Sequence, residues 1–286
     1  MRLATFSDGA SPRIGAVVGD AVVDLSSLAP DMLSLIDGGP TLLAQARALA
    51  ESTGERLPLS SVSLLAPIPR PRKNIICLGM NYALHAYESM RAKGLPETLP
   101  PYPVIFTKSV TAVNHPEATV PLHANLSPQR DWEVELAFII GRTAKNVPAE
   151  EALDYIFGYT ILNDVSARDL QSQHQQFFFS KSLDGSAPLG PWIVTADEIA
   201  DPHTLGLRLR LNGELMQDSS TSDLIFNIPA IIATLTSGMT LEPGDIIATG
   251  TPSGVGMGMT PQRWLAAGDV MEAEIDGIGI LRNSVG

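Results

Sequence analysis

The sequence predicts a β-rich α+β protein in which a small N-terminal α/β unit precedes a larger domain. From Trp192 onward, short apolar stretches alternate with turn dipeptides such as Asn212-Gly213, which is typical of strands joined by tight turns. The chain shows no βαβ rhythm, internal repeat or low-complexity tract. A stiff, proline-rich stretch at residues 64–72 separates the two parts. We therefore expect two domains, residues 1–68 and residues 69–286.

Composition excludes several classes of function. The chain has 286 residues, of which 44% are hydrophobic, and a net charge of −12. Nucleic acids and anionic membranes bind basic patches, so neither is an expected partner. The single cysteine, Cys77, excludes an internal disulfide framework and is expected to be a buried thiol. Without a signal-peptide pattern or an apolar stretch of membrane-spanning length, we expect a soluble, cytoplasmic protein.

Periodicity and turn residues predict the elements in order. In the N-terminal unit we expect strands at residues 2–6, 13–18 and 21–24 and helices at 32–36 and 41–52. In the larger domain we expect strands at residues 73–79, 104–107, 131–141, 157–163, 192–195, 205–211, 245–249 and 270–275. The helices there are expected at residues 81–93, 149–153 and 227–237, with another beginning at 166.

An acidic strand organises the larger domain. In DWEVELAFIIG, residues 131–141, Glu133 and Glu135 alternate with Trp132 and Val134, so a strand would place the two carboxylates on one face. Adjacent carboxylates in apolar surroundings repel each other, and a cation between them is the simplest remedy. The alternative is an edge strand with a solvated acidic face. The apolar run that follows disfavours that alternative.

Two further stretches hold polar residues in unusual positions. In NYALHAYE, His85 and Glu88 are three residues apart on a predicted helix, where Glu88 could orient the imidazole. A solvated surface pair is the alternative. In GYTILND, Asp164 ends an apolar strand, where its carboxylate either joins Glu133 and Glu135 or caps the helix that follows.

A lysine and a glycine-rich loop complete the set. Lys181 follows the aromatic run FFFS. Its side chain either snorkels, with its ammonium reaching solvent, or meets an anion in a pocket. The glycines of ATGTPSGVGMG let backbone N–H groups crowd around a small anion, with the Thr251 hydroxyl as a further donor. The loop has neither the Walker nor the Rossmann pattern. Taken alone, the motif is weak, and a hairpin loop without function is the default interpretation.

Together these motifs resemble the fumarylacetoacetate hydrolase family. The stretches that carry the resemblance are NYALHAYE, WEVELAFIIG, NDVSARDLQ, SKSLDG and GDIIATGTPSGVG, and it covers about residues 70–286. The resemblance implies a catalytic domain of mixed β-sandwich or β-roll type that forms a homodimer. Residues 1–68 resemble the small leading domain of the family's bacterial members.

The resemblance implies that Glu133, Glu135 and Asp164 bind a divalent cation. Three carboxylates without imidazole or thiolate suit a hard ion, Mg²⁺ or Mn²⁺. Because three formal negative charges would meet there, we expect the cation to dominate the electrostatics of the site.

The resemblance also implies which residues meet the substrate, a 2-oxo acid. Lys181 is expected to meet a substrate carboxylate or enolate oxygen. His85 and Glu88 match the catalytic pair of a lid, and residues 94–102 resemble its flexible remainder. Four further residues are expected to bind substrate: Arg168, Gln171, Gly250 and Thr251.

The leading hypothesis for function is hydrolysis of a C–C bond in acylpyruvate-type 2,4-dioxo acids, such as fumarylpyruvate, through a metal-stabilised enolate. Alternatives on the same site are oxaloacetate decarboxylation and isomerisation of 2-hydroxyhepta-2,4-diene-1,7-dioate in aromatic catabolism. The presence of His85 and Glu88 disfavours a non-catalytic member that binds a 2-oxo acid as a signal. Met80 stands where many relatives have arginine or lysine, so the sequence does not select one substrate.

Overall fold

The first part of the chain folds into five strands and two helices. The computed structural model describes residues 1–52 and 54–286. The elements of this part are β1 (Arg2–Ser7), β2 (Arg13–Val18), β3 (Ala21–Asp24), α1 (Met32–Asp37), α2 (Gly39–Glu51), β4 (Leu57–Pro58) and β5 (Ser63–Leu65). Asp31 caps α1 by accepting a hydrogen bond from the Ser34 backbone N–H. The three strands and two helices predicted here are confirmed within a few residues.

The larger part is rich in strands, as predicted. Its elements are β6 (Ile75–Gly79), α3 (Ala83–Ala92), β7 (Val104–Lys108), β8 (Val113–Asn114), β9 (Arg130–Asp131), β10 (Val134–Ile140), β11 (Ile156–Asn163), β12 (Ser166–Ala167), α4 (Arg168–Gln173), α5 (Phe178–Lys181), β13 (Ala187–Thr195), β14 (Gly206–Leu211), β15 (Glu214–Ser220), α6 (Ile228–Gly238), β16 (Ile246–Ala248), β17 (Val270–Ile275) and β18 (Gly279–Ser284). The helix expected at residues 149–153 is a 3₁₀ helix, Ala149–Tyr155. The sequence did not predict β15 and β18, whose many exposed residues hide the apolar alternation.

One mixed sheet runs through both parts. It has twelve strands in the order β4-β3-β2-β1-β13-β11-β10-β16-β6-β7, with β5 beside β1 and β8 beside β13. Since β1 pairs antiparallel with β13, the N-terminal strands extend the sheet of the larger part. The domain boundary after residue 68 therefore stays a prediction. No helix in the described residues is long and apolar enough to cross a membrane.

Strand β10 lies inside this sheet, between β11 and β16, so the edge-strand alternative is wrong. Val134, Leu136 and Phe138 belong to a core shared with α6 and with the second sheet, whose strand order is β15-β14-β17-β18. Ala137 and Ile139 belong to a core shared with α1 and α2. Both faces of β10 are therefore buried, which explains its uninterrupted apolar run.

Strand pairing brings the acidic residues together. Val134 at the start of β10 lies opposite Asn163 at the end of β11. Glu133 and Asp164 are therefore neighbours, and the Asp164 N–H donates to the Glu133 carbonyl at 2.8 Å. Because β16 pairs with β10 on its other side, the glycine-rich loop after β16 begins beside Glu135.

Close packing of β11 against β13 requires glycine at position 158. A Cβ there would lie 2.4 Å from the Val194 carbonyl oxygen. We expect Gly158→Ala to lower the free energy of unfolding by more than about 1 kcal/mol in urea denaturation, because the backbone cannot move aside without disturbing strand pairing. Gly238→Ala is the matched control, since a Cβ at Gly238 meets no atom within 4 Å. Equal losses in both variants would contradict this explanation.

Candidate active site

Glu133, Glu135 and Asp164 converge at one end of β10 and β11. One carboxylate oxygen of each lies within 4.8 Å of the other two, and all three residues are buried. The Asp164 side chain does not cap the following helix, because the capping position of α4 is Ala167 and makes no side-chain bond. The structure thus brings together the three residues that were predicted to act as metal ligands.

Two lysines donate hydrogen bonds to the carboxylates of Glu133 and Asp164. Lys181 Nζ donates to Glu133 Oε2 at 2.6 Å and to Asp164 Oδ2 at 2.7 Å. Lys108 Nζ donates to Asp164 Oδ1 at 2.6 Å. Each oxygen of Asp164 therefore faces an ammonium group. The snorkelling alternative for Lys181 is wrong, because its side chain is buried within the cluster.

Arg168 holds the other side of Glu133. Its Nη2 lies 2.7 Å from Glu133 Oε1, and its Nε donates to Asp131 Oδ2 at 2.8 Å. Its Nη1 donates to Gln171 Oε1 at 3.2 Å. The guanidinium thus holds Glu133 and Gln171 in place, and Arg168 also lines the pocket described below. Its predicted contact with the substrate stays a prediction.

The glycine-rich loop also binds protein groups. The Gly250 N–H, predicted to contact substrate, donates to Glu135 Oε2 at 2.9 Å. The Thr251 hydroxyl donates to the Val134 carbonyl at 2.9 Å and accepts from Gln217 Nε2 at 2.8 Å. These bonds fasten the loop to β10, and Thr251 still lines the pocket described below.

The two glutamates differ in pKa. Burial raises the pKa of Glu133, but the charges of Lys181 and Arg168 outweigh it and hold the pKa below its usual range. Burial raises the pKa of Glu135 well above its usual range, and the neighbouring carboxylates of Asp164 and Glu133 raise it further. Glu135 is thus the carboxylate that lacks a compensating charge.

The cluster fits a hard divalent cation. Glu135 is 1% exposed, and among the described residues its carboxylate makes no contact with a cationic side chain. Oxygen ligands of this kind suit Mg²⁺ or Mn²⁺. The expectation of three uncompensated negative charges is corrected, however. Asp131 joins the three carboxylates, and the cations present are Lys108, Arg168 and Lys181, which leaves one formal negative charge.

Sequence reasoning missed Lys108 and gave Asp131 no role. Both side chains are fully buried. Asp131 accepts hydrogen bonds from the Gly256 N–H at 2.7 Å and from Arg168. The signal for Lys108 was the lysine that ends the apolar stretch VIFTK, because a lysine that is buried requires an anion.

His85 and Glu88 lie on α3, and His85 lines a pocket together with part of the acidic cluster. His85 Nδ1 is 3.3 Å from Glu88 Oε2, and Glu88 Oε1 accepts from the Gly254 N–H at 3.1 Å. His85 is 5% exposed, so the solvated-pair alternative is wrong. The other residues that line the pocket are Leu78, Gly79, Met80, Ser89, Lys93, Phe106, Glu133, Glu135, Arg168, Gln171, Phe177, Lys181, Thr251 and Met257.

This fold and pocket define an enzyme, because carboxylates, a buried ammonium and an oriented histidine converge where a small molecule can enter. Residues 74–286 match the family model described as Fumarylacetoacetate (FAA) hydrolase C-terminal. Residues 1–67 match the model described as Rv2993c-like, N-terminal. The chain belongs to the fumarylacetoacetate hydrolase family.

Three relatives extend this comparison. The chain is 46% identical to the oxaloacetate tautomerase YisK of Bacillus subtilis (strain 168), over 92% of this chain and 89% of the relative. A solved fumarylacetoacetate hydrolase of Exiguobacterium antarcticum matches with a TM-score of 0.87 and 40% identity, covering 100% of this chain and 99% of the other. A maleylpyruvate hydrolase of Sphingobium sp. SYK-6, solved with manganese(II) and pyruvate, matches with a TM-score of 0.81 and 35% identity, covering 100% and 98%.

The variant Glu135→Gln tests whether the Glu135 carboxylate destabilises the metal-free protein and binds the cation. The variant keeps the acceptor for the Gly250 N–H and removes one clustered charge. In EDTA we expect its Tm to equal or exceed that of the wild type, because repulsion and burial of charge are relieved. The rise in Tm on adding Mg²⁺ should be lost, because a ligand is removed. Differential scanning calorimetry measures both.

The control is Glu274→Gln, which changes a half-buried glutamate paired with Arg210, outside the acidic cluster, and should keep the Mg²⁺ response. A Glu135→Gln variant with a much lower Tm in EDTA, or with an unchanged Mg²⁺ response, would contradict our account.

Lys108→Met tests the support of Asp164. Removing the ammonium leaves one oxygen of a fully buried carboxylate without its partner. We expect a loss of about 3–5 kcal/mol in the free energy of unfolding, measured by urea denaturation. Arg282→Met breaks an exposed pair with Glu117 and should cost less than about 1 kcal/mol. Similar small losses in both variants would refute the structural role of Lys108.

Proposed function

We propose that the protein is a divalent-metal-dependent oxaloacetate tautomerase, which interconverts the keto and enol forms of this 2-oxo acid. The observation that carries the proposal is one pocket lined by His85 together with Glu133 and Glu135. Glu88 contacts His85, and Asp164 lies within 4.8 Å of the two glutamates. The activity in the name of the Bacillus subtilis relative supports tautomerisation. The sequence favours hydrolysis, with oxaloacetate decarboxylation and dienedioate isomerisation as alternatives.

The metal would be held by Glu133, Glu135 and Asp164. When bound, the ion would act as a Lewis acid on the carboxylate and keto oxygens of a 2-oxo acid. The Sphingobium sp. enzyme solved with manganese(II) and pyruvate supports a divalent ion beside a 2-oxo acid. We leave Mg²⁺ and Mn²⁺ as equal candidates, because both suit three carboxylates.

His85 is the group that moves the proton. Keto–enol exchange takes a proton from carbon and returns one to oxygen, so the site needs a base that can release the proton again. With Glu88 accepting from Nδ1–H, Nε2 keeps the lone pair that takes the proton. Glu88 also stabilises the imidazolium, and the Gly254 N–H holds Glu88 in place.

Lys181 supplies positive charge and does not act as the base. Burial lowers the pKa of Lys181, but the carboxylates of Asp164 and Glu133 outweigh it and raise the pKa above its usual value. The side chain therefore remains an ammonium at neutral pH. It lines the pocket, where its charge stabilises a negative oxygen on the substrate.

Hydrolysis of an acylpyruvate is the second candidate. The similarity to a maleylpyruvate hydrolase over the whole chain favours it. The reaction would use the same pocket, with His85 taking a proton from water rather than from carbon. Both reactions pass through negative charge on the keto oxygen, so Lys181 would serve either. Decarboxylation of oxaloacetate and isomerisation of a dienedioate stay predictions from the sequence.

A substrate panel tests the proposal. Loss of the enol absorbance of oxaloacetate, cleavage of fumarylpyruvate and release of pyruvate from oxaloacetate are measured with Mg²⁺ and with EDTA. We expect tautomerisation to be the fastest reaction and to be lost in EDTA. His85→Ala should lower kcat by about 10²–10⁴-fold, because the proton-transferring group is removed. His174→Ala, which changes an exposed histidine, is the control.

Faster cleavage of fumarylpyruvate than tautomerisation would reject the first candidate in favour of hydrolysis. Full tautomerase activity in EDTA would reject a metal role, and full activity of His85→Ala would reject its role as the base.

A further inference from the structure

Lys93 is a cation of the pocket that the mechanism above leaves unused. It immediately follows α3 and lines the pocket together with His85 and Ser89. These three residues are spaced by four, so they share one face of the helix. Two turns of helix place Lys93 about 12 Å along the axis from His85. Helix α3 and the residue after it therefore present a histidine and a lysine to the same pocket.

The other cations of the pocket are already paired. Lys181 and Arg168 both contact Glu133 at less than 3 Å. For Lys93, by contrast, no ion pair or hydrogen bond of the ammonium is found within residues 1–52 and 54–286. Arg91, in the last turn of the same helix, forms an exposed ion pair at 3.1 Å. Lys93 is thus available to an anion from outside the chain.

The surroundings of Lys93 also favour an anion. Although the side chain reaches solvent, partial burial of its ammonium lowers its pKa, and the charge of Arg168 lowers it further. The charge of Glu133 raises the pKa of Lys93 but does not outweigh these effects. Both side chains line one pocket, so an anion between them would relieve their repulsion. A carboxylate there would gain a charge-assisted hydrogen bond from the Lys93 ammonium.

We propose that Lys93 binds the distal carboxylate of a dicarboxylic 2-oxo acid and thereby makes the site prefer diacids to monoacids. The inference rests on the proposed function, which places the 2-oxo acid end of the substrate at Glu133, Glu135 and Asp164. His85 then lies beside the reacting carbon, and Lys93 lies beyond it. A lysine at a helix C-terminus also interacts with the helix dipole, so the test must separate binding from helix stability.

The kinetic test compares oxaloacetate with its 4-methyl ester, in which the distal charge is removed and the 2-oxo acid is kept. We expect Lys93→Met to raise KM for oxaloacetate roughly 10- to 100-fold, since one charge-assisted hydrogen bond is lost, with kcat within a few-fold. The kcat/KM for the ester should not change. Lys93→Arg should restore most of the affinity for oxaloacetate. Arg91→Met, on the same turn of the helix, is the control and should behave as the wild type.

Equal losses for both substrates, or the same losses in Arg91→Met, would show that Lys93 only stabilises the helix, and the inference would be overturned.

A binding measurement makes the inference independent of turnover. Isothermal titration of the Mg²⁺-loaded wild type should show tighter binding of oxaloacetate than of the ester, and Lys93→Met should remove this preference. If the wild type converts neither compound but shows that preference, the proposed reaction fails and the role of Lys93 stands. If the wild type tautomerises oxaloacetate but binds the ester equally well, the proposed function stands and the role of Lys93 is overturned.

Discussion

Asp164 is buried between two ammonium groups, and the rest of the site depends on this arrangement. Lys108 comes from the end of β7, Lys181 from the end of α5, and Glu133 from the residue before β10. Removing the partner of a buried carboxylate costs about 3–5 kcal/mol, a large part of the stability of a folded domain. The ion pairs therefore join separate elements of the fold. If one element moves, the charged side chains of the others lose their partners.

Buried charges of this kind seldom stabilise a protein as well as apolar side chains do. Here the central sheet supplies the stability, because β10 carries apolar residues on both faces and packs between two cores. The sheet thus supports a polar cluster at its end without depending on it. Glu135 remains the unbalanced member, which is consistent with a site built to accept a further cation.

The backbone of the glycine-rich loop after β16 approaches this cluster closely and donates hydrogen bonds to its carboxylates. The loop had suggested an anion site, and four of its amides do bind carboxylates, but those of the protein. The pairs are Gly250 with Glu135, Gly254 with Glu88, and Gly256 and Met257 with Asp131. At Gly258 a Cβ would lie 2.1 Å from Glu88 Oε1, so a side chain there would displace Glu88. One loop therefore supports the carboxylates at the end of the sheet and the pair on the lid helix.

The sequence by itself determined which side chains share a face. Alternation put Glu133 and Glu135 on one side of a strand, and spacing by three put His85 beside Glu88, because both patterns follow from local backbone geometry. Much of the strand and helix pattern followed in the same way, and the family motifs added Asp164 to the acidic pair.

Only the tertiary structure decided which charges meet. Lys108 is 56 residues from Asp164 along the chain, and Lys181 is 17 residues from it. Whether they touch depends on how separate strands and helices pack, which no local pattern contains. The same packing brings the Gly250 amide to Glu135 and the Arg168 guanidinium to Glu133, two contacts that the sequence did not predict. It also separated the pKa values of Glu133 and Glu135, because a pKa depends on the charges that surround a group in space.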